Sequence, residues 1–409
     1  MKKIEWPEKT KGLLLLLLLL FVTAAFLLKE EPAYTLTTEE AREPEALGAF
    51  DAEADGTGSE AAETVSLLTE EEQKQLQKEA LEAAEYCREL YKDIRATEME
   101  SEGENNTFLL TREQQTAITA RLGELGLVSA ADNINMVNYE KVEEFYLDYL
   151  EDRETDVTIY EVNNDGSFCS ETFIYRNKVL QTFTMTLTWE KGEQAEISNG
   201  TANNIAEIKY TSKGYLIYSY EYIVAHAALK EYYRVKPLSD TLRILTDQYV
   251  SVFNYLNYNF LTQNWDESNV ETILLPRLFE DLYQVHTGEQ LKKDSGRISA
   301  EIYENVMIAC LPVTIEELRK HCGYDMESNT YDSGTFFYRG TSPFGEVVDY
   351  LDNSDGTLTL YVDAVWPDRN TDCAFKNEIV IKPYGDGTCQ YLSNKVQKIE
   401  LDIPVYEEY

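Results

Sequence analysis

A chain of 409 residues is long enough for two domains, and 43% hydrophobic with 12% aromatic content is too apolar for a wholly disordered one. Its 74 acidic residues outnumber 36 basic ones. A net charge of −38 is repelled by phosphate backbones and anionic membrane surfaces, which sets aside DNA and RNA as partners.

The amino-terminal stretch carries the clearest signal. Lys2, Lys3, Lys9 and Lys11 precede an unbroken apolar run from Leu13 to Leu28, followed by Lys29, Glu30 and Glu31. As a helix the run spans roughly 24 Å, close to a bilayer's hydrocarbon core once the flanking lysines snorkel. Lysines on the amino side predict a cytoplasmic tip (1–12), a single transmembrane helix (13–28) and an exported remainder. Thr23, Ala24 and Ala25 lie inside the run rather than after it, which favours an uncleaved anchor over a cleaved signal peptide. Residues 29–66 read as a disordered acidic linker, with eleven acids against Lys29 and Arg42 up to Ser66.

Thr69 and Glu72 form a capping box opening an amphipathic helix within 67–105. Along it Leu76, Ala80, Ala83, Cys87, Leu90 and Ile94 make a heptad-like seam. That seam either pairs two copies, giving a homo-oligomer through Leu76–Ile94, or docks on the chain's own folded part. The region 106–236 begins with helices over Thr111–Leu127 and Tyr139–Leu150. The period then changes to two over Asp156–Val162, Phe168–Arg176 and Val179–Glu190, with Asn164-Asp165-Gly166 at the first turn. Ile205–Thr211 and Tyr215–Val224 add a hairpin around Lys213-Gly214, completing an antiparallel meander. The region 237–409 starts helical: Ser239 caps one helix, a second lies over Val270–Tyr283 near Pro276, and Thr314 with Glu317 caps a third. It ends in strands at Thr335–Tyr338, Thr357–Val365, Glu378–Pro383 and Cys389–Ser393. The fold class is α+β, with antiparallel sheet regions flanking a helical middle section.

The stretches Leu274–Gly288, Leu311–Asp325, Asp352–Trp366 and Lys376–Asn394 resemble an uncharacterised family, a domain of unknown function from membrane-anchored or secreted proteins of Gram-positive gut bacteria. The resemblance covers roughly residues 238–396 and rests on turns and packing residues. It implies a compartment and a lineage; no functional residue follows from it.

Chemistry is sparse. His226, His286 and His321 show no metal-ligand spacing, and no catalytic serine, phosphate-loop or dinucleotide motif occurs. Neither a catalytic residue nor a metal ligand nor a cofactor is expected. Glu280-Asp281 point to different helix faces. Asp352–Gly356 hints at a calcium loop, but Leu351 and Val362 stand where ligands belong, so a hairpin turn is the reading. The unusual feature is aromatic: among 29 tyrosines, alternation aligns Leu216, Tyr218, Tyr220 and Tyr222 on one strand face. Tyr218, Tyr220 and Tyr222 are candidate ligand-binding residues, with packing as the alternative, and Trp265 is a lesser candidate. Six cysteines in an exported chain raise the question of disulfides, and Cys310–Cys322 is the first pair to test. The anaerobic host that the resemblance suggests would leave all six reduced. The expectation is a non-catalytic, membrane-held extracytoplasmic binding or accessory protein with an envelope protein or glycan as partner. The alternatives are an extracytoplasmic hydrolase of glycan or peptide and a structural envelope protein.

Overall fold

The computed structural model describes residues 64–91, 110–190, 194–198, 200–221, 230–257, 259–291, 296–332 and 342–398. The expected cytoplasmic tip, transmembrane helix and linker up to residue 63 lie outside them, as do Ile94, Tyr222, His226 and the strand expected at 335–338. Among the described residues no helix is long and apolar enough to cross a membrane.

Helix α1 (Glu70–Tyr91) starts as its capping box predicts: Thr69 N donates to Glu72 Oε2 at 2.8 Å and Glu72 N to Thr69 Oγ1 at 3.2 Å. The described part of its seam docks on the chain's own fold. Ala80, Ala83 and Cys87 are buried in one cluster with Phe183, Met185 and Leu187, and with Ile118 and Leu122 of α2 (Arg112–Glu124). The small alanines let the helix lie close on the sheet, so pairing two copies through this face would first require undocking it. Just before the helix, Leu67 N donates to Gln181 Oε1 at 2.8 Å, while Gln181 Nε2 donates to Val65 O at 2.8 Å. Gln181 is 3% exposed and lies within the strand Val179–Glu190, so the chain is pinned to the sheet where α1 begins.

The expected meander forms a nine-stranded sheet in the order β2-β1-β3-β4-β5-β7-β8-β9, with β6 beside β5. Strands β3 (Thr155–Val162), β4 (Phe168–Arg176), β5 (Val179–Glu190), β7 (Thr201–Tyr210) and β8 (Tyr215–Tyr220) match the alternating segments. Sequence reasoning did not find β1 (Val128–Ala131), β2 (Ile134–Val137), β6 (Gln194–Ile197) or β9 (Glu231–Arg234). At four residues each, they are too short to display a period. Helix α3 (Glu140–Leu150) crosses back from β2 so that β1 and β3 run parallel, whereas the other pairs are antiparallel.

The helical middle comprises α4 (Asp240–Tyr249), a 3-10 turn at Val270–Ile273, α5 (Leu278–Thr287), α6 (Ala300–Cys310) and α7 (Ile315–His321). The single helix expected across Val270–Tyr283 is thus two pieces. Pro276 lies between them, where its missing N–H and fixed φ break the ladder. A short ribbon joins β10 (Arg297–Ser299) to β11 (Thr330–Asp332). The helices pack on a four-stranded antiparallel meander: β12 (Phe344–Asp352), β13 (Leu358–Val365), β14 (Phe375–Pro383) and β15 (Cys389–Lys398). Asp352–Gly356 contributes the β12–β13 turn, where Asp355 Oδ1 accepts from Thr357 N at 3.0 Å and Gly356 takes φ +83°.

The described residues all fall in one compact unit, in which the two sheets meet across β8. Tyr215 and Ile217 on one of its faces pack with Val365 and Phe344 of the second sheet. Leu216, Tyr218 and Tyr220 on its other face join the core of the first.

Candidate functional site

Burial decides the expected tyrosine platform. Tyr218 is 4% exposed, and Tyr220 is half-buried beside it. Their hydroxyls donate to opposite oxygens of Glu171, at 2.8 and 2.9 Å, and Tyr233 of β9 supplies a third bond at 2.8 Å. Tyr218 and Tyr220 thus belong to a hydrogen-bond network around a carboxyl group, while Tyr222 lies outside the described residues. Trp265 is also internal: it is 2% exposed and its indole N–H donates to Phe260 O at 2.8 Å. The expected Cys310–Cys322 bridge is absent, because both are buried free thiols directed at different segments. Cys310 Sγ contacts Leu282 O at 3.7 Å and Cys322 Sγ contacts Leu274 O at 3.8 Å. Burial pushes these thiols up to about 12 and about 11, far from nucleophilic. Cys87, Cys169, Cys373 and Cys389 are also free, and the β14–β15 register sets Pro383 opposite Cys389. Among the described residues no group of three or more His, Cys, Asp or Glu could hold a metal ion.

The candidate site is instead a cleft of about 290 Å³ at the free edge of β9, where the two sheets meet. One wall comes from the β1–β2 turn (Ala130–Ile134) and Glu161 of β3. The opposite wall holds Arg243, Thr246 and Asp247 of α4, with Phe344, Gly345 and Glu346 of β12. The β9 edge between them contributes Tyr232 and Arg234 from one face and Tyr233 from the other. Both ends of the nine-stranded order thus border one cavity, so the sheet curls around it. Gly345 lets β12 approach α4 closely: a Cβ there would stand 2.4 Å from Val250 Cγ1.

The polar groups fall into three sets. Glu346 is 4% exposed and receives Arg234 Nε at 2.9 Å, Arg234 Nη2 at 3.1 Å and the Tyr215 hydroxyl at 2.7 Å. This charge-assisted fork is held further by the Arg234 guanidinium lying 5.1 Å over the Tyr215 ring. Across the α4 wall, Asp247 pairs with Arg112, whose Nη2 also donates to Asn133 O at 3.2 Å. Asn135 bridges to Leu238, donating to its O at 2.8 Å and accepting from its N at 3.0 Å, and also accepts from Arg243 Nε at 2.6 Å. The third set is acidic and uncompensated. Burial, then the charges of Asp132 and Glu171, push Glu161 up to about 7, against a 3.4 Å contact from the Tyr233 hydroxyl. Glu171 is raised by the same cause, burial, outweighing its three tyrosines.

An aromatic patch completes the cleft. Tyr232 is 38% exposed and stacks on Phe344 with centroids 5.1 Å apart and planes at 22°. Both rings line the cavity, and Tyr215 tilts against each from beneath, at 6.2 and 6.1 Å. A half-exposed ring pair beside a cleft rich in donors and acceptors suits a flat, many-hydroxyl ligand.

A model described as Family of unknown function (DUF6070) matches residues 73–409. The chain belongs to that family. The match runs well beyond the 238–396 stretch on which the resemblance rests, and it takes in most of α1, the curled sheet and every residue lining the cleft. The cleft is therefore built wholly from the family's region. No curated protein and no solved structure matches the chain.

None of Glu161, Arg234, Arg243 or Glu346 was singled out from the sequence. Arg234 and Glu346 are 112 positions apart, so no local spacing announces them. One signal was legible: alternation in β4 places Glu171 on the face of Phe173 and Tyr175, a carboxyl on an apolar stripe.

Proposed function

We propose that this protein is a non-catalytic, membrane-anchored extracytoplasmic binding protein of a Gram-positive gut bacterium, and that its cleft holds a short glycan. The observation that carries the glycan reading is the Tyr232–Phe344 pair, stacked and half-exposed at the mouth of a polar cleft. Sugar rings lay C–H faces on aromatic rings and offer hydroxyls to carboxylates, amides and guanidinium groups. About 290 Å³ suits one or two sugar units. The anchor and the compartment rest on the lysine-flanked run Leu13–Leu28. Full-length protein in detergent micelles, titrated calorimetrically with a panel of mono- and oligosaccharides, tests the binding reading. Saturable binding weakened at least tenfold by Tyr232→Ala is expected, and a panel without any saturable binding overturns it.

A second reading, hydrolysis of a glycan, has one observation in its favour. Glu161 is held near 7, where a general acid works best. Hydrolysis needs a second carboxylate positioned to act, yet Glu346 and Asp247 are both tied to arginines and Asp132 stands exposed on the β1–β2 turn, which favours binding. Release of reducing sugar that Glu161→Gln abolishes would reverse that order.

A further inference from the structure

Of the two arginines that line the cleft, Arg234 has a carboxylate partner in Glu346, whereas no ion pair reaches Arg243 among the described residues. Arg243 is 8% exposed, and its side chain donates from Nε to the neutral Asn135 oxygen. Its Nη2 is fully buried in the cleft wall with no hydrogen-bond partner among the described residues. The acids around it are engaged elsewhere. Glu346 is forked onto Arg234 and bonded by Tyr215, and Asp247 is paired with Arg112. Asp132 is exposed on the β1–β2 turn, and Glu161 is held toward its neutral form by burial. Burial and the neighbouring positive charge of Arg234 both press against Arg243 keeping its charge, while Glu346, Tyr215 and Asp247 favour it. An unpaired buried guanidinium N–H is costly, and an acceptor brought into the cleft would relieve that cost.

We propose that Arg243 is the anion subsite of the cleft and receives a carboxylate on the bound sugar, as a uronic acid would present. The proposal rests on the glycan reading and narrows it to acidic sugars. Charge count favours a carboxylate over a phosphate: one unpaired cation neutralises one negative charge. The second charge of a phosphate would face Glu346 and Asp247 with no counter-ion left. The chain's charge of −38 repels any anion at long range, so recognition of one needs a short-range donor such as the guanidinium. Tyr232 and Phe344 line the same cavity and can seat the ring whose carboxylate reaches Arg243.

The test compares glucuronate with its methyl ester, which keeps the ring and removes the charge, by calorimetry on the full-length chain in detergent micelles. Acetate and inorganic phosphate serve as competitors. Glucuronate binding at least tenfold tighter than the ester is expected. Arg243→Gln should bring the two within twofold, and Arg243→Lys should keep most of the preference, separating charge from packing. The ester comparison needs no variant, so it decides the matter even if Arg243→Gln fails to fold. Equal binding of acid and ester overturns the proposal and leaves the glycan reading standing. Acetate binding that Arg243→Gln removes, with no sugar bound, upholds the carboxylate subsite and overturns the glycan reading. Phosphate displacing glucuronate more strongly than acetate does overturns the choice of carboxylate.

Discussion

Glu171 and Glu346 are each 4% exposed, and each accepts a hydroxyl from β8: Glu171 from Tyr218 and Tyr220, Glu346 from Tyr215. Because strand residues alternate, the two acids lie against opposite faces of one strand. Their surroundings differ in one respect. Glu346 meets the guanidinium of Arg234 on β9, whereas Glu171 accepts from three tyrosines with no cation among the described residues, and burial pushes its pKa up. One strand therefore supports an ion pair on the cleft side and an acid disposed to keep its proton on the core side. The presence of a cation, not the depth of burial, separates the two solutions.

That contrast can be broken most forcefully at the cation. Arg234→Leu leaves Glu346 buried without its counter-charge and should cost about 3–5 kcal/mol in urea unfolding. A loss below about 1 kcal/mol would mean that Tyr215 and water suffice, as tyrosines do for Glu171.

The next effect is read through pH. Glu161 shares Tyr233 with Glu171 and is held at about 7, against the ordinary 4.5. The folded state thus keeps a proton that the unfolded chain releases between those values, so this group makes stability fall as pH rises through that window. The full loss is about 3 kcal/mol, complete by about pH 8. Urea midpoints at pH 5, 6, 7 and 8 should show the decline in the parent protein and a flatter profile in Glu161→Gln. Identical slopes would remove the neutral-acid account of this side.

The smallest effect is the sharpest comparison. Glu171→Gln preserves shape and removes a buried acid that no cation faces among the described residues, and should change stability at pH 7 by no more than about 1 kcal/mol. Glu346→Gln strips Arg234 of its counter-charge and should cost about 2–3 kcal/mol. Thermal melts of the two variants side by side check this, and equal losses would show that both acids sit in the fold in the same way.

Legibility in the sequence followed the range of the interaction. Strands β3, β4, β5, β7 and β8 announced themselves by alternation and by Asn164-Asp165-Gly166 and Lys213-Gly214, all signals within a dozen residues. Helices α4 and α7 were marked by Ser239 and by the Thr314–Glu317 box, which form the caps expected. The cleft depends on partners such as Arg243 with Asn135, 108 residues apart, and no periodicity carries that information. The tyrosine row shows the converse. Its alternation was read correctly, but which face meets water depends on the second sheet and on Glu171, and both arrive from far along the chain.

The clamp between Gln181 and the backbone at Val65 and Leu67 has a mechanical consequence. Gln181 Nε2 also donates to Asn204 Oδ1 on β7 at 2.8 Å, so a pull applied at Val65 passes into β5 and its neighbour together. Load entering between paired strands strains several ladder bonds at once instead of peeling a helix away turn by turn. The start of α1 is thus a point through which this fold can be held under tension.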